Sequence, residues 1–220
     1  MLKKNKIILG VIVLALIAGG VVYAMRRSSE KLQGQTPDPR VDQGTQPFYE
    51  QELEKAKAQV DNLPRNASAA DTFRAYLLLG DQYAVLGKLQ EAQEAYSKAG
   101  TAVTDNPVPF EKLYAVYVRA ESYDKARENI DKALALNRFS PDDWLSKITL
   151  EKDHFAASND DLQKLYEEAL QKTNNNLTII VSYATWYEQR GLQDAARQWW
   201  KKAAEQDPEN NWYKQKALGQ

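Results

Sequence analysis

The chain has 220 residues, with 30 acidic against 29 basic side chains, one histidine and no cysteine. Without cysteine there is no disulfide framework, thiolate metal site, cysteine nucleophile or lipidated-cysteine anchor, and a lone histidine excludes histidine-based metal clusters. A net charge of −1 speaks against bulk nucleic-acid binding, so no nucleic-acid partner is expected.

Mean hydropathy is −0.62, an average over two unlike parts. Lys3, Lys4 and Lys6 precede Ile7–Ala24, an apolar run without a charge, and Arg26 and Arg27 close it. At about 1.5 Å per residue the run spans roughly 27 Å as a helix, against about 30 Å for a bilayer core. It is longer than the apolar part of a cleaved leader. Residues 1–25 are therefore expected to be an uncleaved transmembrane signal anchor. A short, triply charged N-terminal tail crosses a membrane poorly, which places the body on the far side. Residues 26–46 carry Ser28, Ser29, Gly34, Pro37, Pro39 and Gly44 with almost no large apolar residue. They read as a flexible linker.

From residue 47 the pattern is helical. Leu53, Ala56, Val60 and Leu63 share one helical face, and Pro64 ends the segment, so 47–64 reads as a capping helix. A 34-residue period then begins: Ala92 and Ala126, Ala99 and Ala133, Pro107 and Pro141, Ala169 and Ala203. In each segment Ala, a bulky residue and Ala recur at spacings of four and three, which puts them on one helical face. Upstream of each lies a helix with large apolar residues, such as Tyr76, Leu79, Gly80 and Tyr83. Short turns join the two helices, as at Leu86-Gly87-Lys88, Ala120-Glu121-Ser122 and Arg190-Gly191-Leu192. A lone helix pair cannot cover its apolar face, so such units stack.

These residues resemble the tetratricopeptide repeat (TPR) family. Residues 73–106 match through Tyr76, Leu79-Gly80, Tyr83, Ala92, Tyr96 and Ala99. Residues 107–140 match through Phe110, Leu113, Tyr117, Ala126, Ile130 and Ala133, with Tyr114 where the family has a small residue. Residues 141–176 are degenerate, keep Trp144, Tyr166 and Ala169, and carry extra residues near His154–Asp160. Residues 177–210 match through Tyr183-Ala184, Tyr187, Ala196, Trp200, Ala203 and Asp207-Pro208. The resemblance implies an all-α helix-turn-helix solenoid of about four repeats over 73–210, which would follow the N-terminal transmembrane helix expected from the apolar run. Residues 211–220 read as a C-terminal capping helix, with Trp212 and Tyr213 covering the last pair.

The resemblance also implies a binding groove lined by the first helix of each repeat. Its expected residues are Arg74, Leu77, Asp81, Glu111, Ala115, Arg119, Thr149, Lys152, Thr185 and Glu188. Receptors of this family that hold chaperone tails grip a terminal carboxylate. The matching slots here carry Leu77, Asp81, Lys112 and Asp142, and the acidic ones would repel it. His154 and the Asp160-Asp161 pair read as solvated surface groups rather than catalytic or metal-binding ones. No phosphate loop or acid pair is present, so no enzyme activity, cofactor or metal is expected. The expected function is that of a membrane-tethered adaptor or assembly factor. It would hold a peptide or helical segment of a partner protein in the groove, in a complex of a bacterial envelope. The expected location is the bacterial cytoplasmic membrane, with the repeats extracytoplasmic. The alternatives are a cytosol-facing organelle import or chaperone-type receptor and a self-associating membrane scaffold, a homo-oligomer.

Overall fold

A computed structural model describes residues 37–39 and 41–220. The expected anchor and the first part of the linker lie outside the described residues. Among the described residues there are ten helices and no strand. None of these helices is long and apolar enough to cross a membrane.

The helices are α1 (Gln46–Asp61), α2 (Ala69–Val85), α3 (Leu89–Ala102), α4 (Val108–Arg119) and α5 (Tyr123–Leu136). They continue as α6 (Pro141–His154), α7 (Asn159–Lys172), α8 (Leu177–Gln189), α9 (Gln193–Gln206) and α10 (Asn211–Leu218). The chain divides into two compact units. One holds the described residues through Thr104 together with Lys112–Ala126, the other Asp105–Glu111 together with Arg127–Gln220.

Local chemistry sets the helix ends. Ser68 caps α2, Ser140 caps α6 and Ser158 caps α7, each hydroxyl accepting the backbone N–H three residues on. Such caps satisfy donors that the first helical turn leaves without partners. The turns inside repeats use one device. Lys88, Ser122 and Leu192 donate their N–H to the carbonyls of Tyr83, Tyr117 and Tyr187 at 2.9, 2.8 and 3.0 Å. The residue before each donor, Gly87, Glu121 or Gly191, has a φ between 51° and 73°. This is the left-handed closure that ends helices and that glycine adopts without strain. Two of the three positions are glycine, and Glu121 is not. In the degenerate repeat Ala156 takes the same left-handed conformation, at φ 49°.

The periodic alanines are the packing contacts. Ala92, Ala99, Ala126, Ala133, Ala169 and Ala203 are all 0% exposed, so not even a methyl group can be added at these slots without displacing a neighbour. In the first unit Leu53, Ala56, Leu79, Leu86 and Ala95 form the core, with Tyr49, Val60, Tyr76 and Tyr83 packed on it. Val41 also packs on that core. Residues 41–45 belong to the segment read as linker, yet they form a turn. The Asp42 carboxylate accepts the N–H groups of Gly44 and Thr45 at 2.9 and 2.8 Å.

The second unit is held by aromatic packing. Tyr166 stacks on Tyr183 with centroids 4.6 Å apart, and Tyr183 meets Trp199 at 4.8 Å. Trp200 is buried and meets Trp212 of α10 edge-on at 4.8 Å. Offset and edge-to-face pairs of this kind add about 0.5–1.5 kcal/mol each beyond their burial.

Candidate functional site

In the first unit α2, α3 and α4 enclose a cavity of about 340 Å³. Its wall includes Asp81 and Ala84 of α2, Tyr96 of α3, and Lys112, Ala115 and Arg119 of α4. Three of the ten expected groove residues, Asp81, Ala115 and Arg119, thus meet in one place. Ala115 is exposed at the wall, a small residue that leaves the space open.

The polar groups of this wall are tied together. Asp81 accepts the Tyr96 hydroxyl at 2.7 Å and lies 2.9 Å from the Lys112 ammonium. Burial first, and then the Asp81 carboxylate, push the Tyr96 phenol above its ordinary value, so it stays a donor throughout the physiological range. Arg119 donates to the Ala84 carbonyl at 2.6 Å, at the C-terminal end of α2. Carbonyls there lack helical partners and carry the negative end of the helix dipole, which favours a cation. Asp81, expected to repel a carboxylate, is ion-paired rather than isolated. Its charge is matched by Lys112, and Arg119 adds a second cation to the same wall.

The remaining expected residues stand elsewhere. Arg74 is exposed on the first turns of α2 and pairs with Asp71 of the same helix. Leu77 is half-buried on α2 and lies outside the cavity wall. Glu111, in α4, belongs to the second unit. Thr149 is exposed on α6, and Lys152 lies 3.4 Å from Asp153. The Thr185 hydroxyl donates to the Val181 carbonyl at 2.9 Å, a bond within its own helix. Glu188 pairs with Lys216 of α10 at 2.8 Å. That bridge fastens the terminal helix and lines a separate cavity of about 350 Å³ with Trp200 and Arg197.

Two participants in the first cavity escaped the sequence reading. Tyr96 was legible as a packing residue, but its hydroxyl contact to Asp81 spans 15 positions and follows no repeat rule. Asp38 lies in the presumed linker and nevertheless lines the cavity, its N–H donating to the Val85 carbonyl at 2.8 Å. No local pattern signals that contact.

Comparison with known proteins places the fold. No family model and no curated relative matches the chain. Among solved structures, MamA aligns at a TM-score of 0.57 and 21% identity, over 77% of this chain and 96% of MamA. A thermophilic TPR protein of Thermus thermophilus, TTC0263, aligns at 0.50 and 17% identity, over 80% and 94% of the two chains. A tetratricopeptide repeat protein of Parabacteroides merdae aligns at 0.50 and 19%, over 77% and 70%. At these identities the likeness establishes the TPR-type helical fold.

Proposed function

We propose that the chain is a membrane-tethered TPR adaptor that holds a segment of a partner protein against α2 and α4 of its first unit. The observation that carries this reading is the cavity that brings Asp81, Ala115 and Arg119 together beside Lys112. It offers a small residue, two cations, a carboxylate and a phenol in one cleft, a donor and acceptor set suited to a polypeptide rather than to a reacting small molecule. Under this reading Ile7–Ala24 anchors the chain in a bacterial cytoplasmic membrane, with the repeats extracytoplasmic. Tethering raises the local concentration of groove and partner, so modest affinity suffices.

Ala115→Trp tests the binding surface. Ala115 is exposed, so the larger ring fills the cleft without entering the core. In native membranes the variant is expected to keep its melting temperature and lose chemical crosslinking to its partner. Undiminished crosslinking would move the binding surface elsewhere. A topology reporter fused after Gln220 tests sidedness, and cytoplasmic reporter activity would reverse the orientation.

Self-association is a second reading, supported by Trp212 and Leu218 of α10, which are 49% and 72% exposed. Light scattering on the purified chain decides it. A monomer at tens of micromolar (~10⁻⁵ M, weaker than a stable interface) counts against this reading.

A further inference from the structure

The segment Pro37-Asp38-Pro39 contains one backbone N–H, that of Asp38, because proline has none. That N–H donates to the Val85 carbonyl at 2.8 Å, in the last turn of α2. Asp38 itself lines the cavity whose wall carries Lys112 and Arg119. It is half-buried there, while Pro37 and Pro39 are exposed. Immediately downstream the Asp38 carbonyl accepts the Val41 N–H at 2.8 Å, and Val41 packs on the core of the first unit. The segment is therefore moored at its C-terminal side and reaches the cleft across a very short span.

These features are those of a bound peptide. The two prolines restrict the chain before it docks, which lowers the entropy lost on docking. One backbone hydrogen bond fixes the register, and Asp38, an acidic residue, lines a cavity whose wall also carries two cations and one acid. The docking is also weak by construction. It buries no apolar side chain, since both prolines are exposed, the profile of a segment that opens at little cost.

We propose that residues 37–39 are a tethered pseudo-ligand of the α2–α4 cleft, displaced by an extended partner segment that carries a carboxylate. The proposal rests on the adaptor reading above and adds the chemistry of the partner and a gate on its access. A cleft filled by its own chain binds an incoming segment with an affinity reduced by the fraction of time it is open.

The test uses the full chain in detergent micelles and a fluorescein-labelled peptide of residues 35–42, read by fluorescence anisotropy. The triple variant Pro37→Gly, Asp38→Gly, Pro39→Gly is expected to bind this peptide about tenfold more tightly than the wild type, as for a cleft closed nine-tenths of the time. An Asp38→Lys version of the peptide is expected to lose binding, and so is the triple variant when Ala115→Trp is added. Equal affinity of wild type and triple variant overturns the gate. If that binding is still lost with Ala115→Trp, the cleft remains a binding surface and the adaptor reading stands. Absence of binding to both proteins overturns the pseudo-ligand, leaving the membrane crosslinking test of the cleft independent. Equal binding of the Asp38→Lys peptide overturns the carboxylate requirement.

Discussion

Gly80 lies against Tyr96 so closely that a Cβ at this position would come within 2.5 Å of two ring carbons. The ring has little freedom to yield, since Tyr96 is buried and its hydroxyl is held by Asp81. Gly80→Ala gains about 1 kcal/mol of helix propensity, but overpacking of this kind costs about 1–3 kcal/mol. The net loss expected is about 0–2 kcal/mol, and its mid-value near 1 kcal/mol corresponds to a fall of roughly 2–4 °C in melting temperature for a chain of this size. An unchanged or higher melting temperature would show that the ring can move aside. Asp143 is a second residue with a defined cost. It is buried at the third position of α6, and one of its carboxylate oxygens has no hydrogen-bond partner among the described residues. Burial pushes its carboxyl above the ordinary range, the Ser140 contact opposes that shift, and Asp142 reinforces it. A carboxyl raised in the folded state stabilises the fold in acid, and that contribution is lost as pH rises from the unfolded value through the folded one. Asp143→Asn should thus raise the melting temperature at pH 7, by the few degrees that about 1 kcal/mol represents. The gap between variant and wild type should narrow on acidification from pH 7 towards about pH 4, as the wild-type carboxyl takes up its proton. Thermal melts at the two pH values check this, and a gap that widens in acid contradicts it.

At the scale of the helix and its turn, the 34-residue period told most of the story. Alanines at fixed spacing identified the second helix of each pair, because only a small side chain fits where helices touch. The turns were legible through Gly87 and Gly191, which mark the left-handed closure. Glu121 occupies the register-equivalent place without glycine's freedom, at φ 51°. A non-glycine residue there carries a strain of about 1–2 kcal/mol, partly offset by glycine's larger loss of entropy on folding. Glu121→Gly is accordingly expected to stabilise the protein by about 0.5–1 kcal/mol in denaturant titration. A lower midpoint would mean that the Glu121 side chain contributes more than its backbone costs. The candidate site was only partly readable at this scale. Asp81, Ala115 and Arg119 came from register on the first helices, and register holds wherever the repeat holds. Thr185 and Glu188 had the right register but other partners, Val181 in the same helix and Lys216 of α10. Periodicity states which way a side chain faces and not what the neighbouring element offers it. The contact of Asp38 with Val85 joins residues 47 positions apart in sequence through main-chain atoms, which leave no trace in side-chain pattern.

For the whole molecule, the two compact units divide the labour of the fold. The first carries an open cleft with a charged wall, and the second an aromatic stack closed by α10 through Trp200, Trp212 and Tyr213. The adaptor reading stands or falls on whether the partner is held in the first unit, on the wall shared by α2 and α4. A photo-crosslinking scan of the full chain in its native membrane decides this. A photoreactive residue would stand at Ala115, on the cleft, or at Glu94, exposed on α3. A discrete partner adduct is expected from position 115, absent from position 94 and competed by excess peptide of residues 35–42. Equal adducts from both positions, or an adduct confined to position 94, would place the partner off the cleft and contradict the reading.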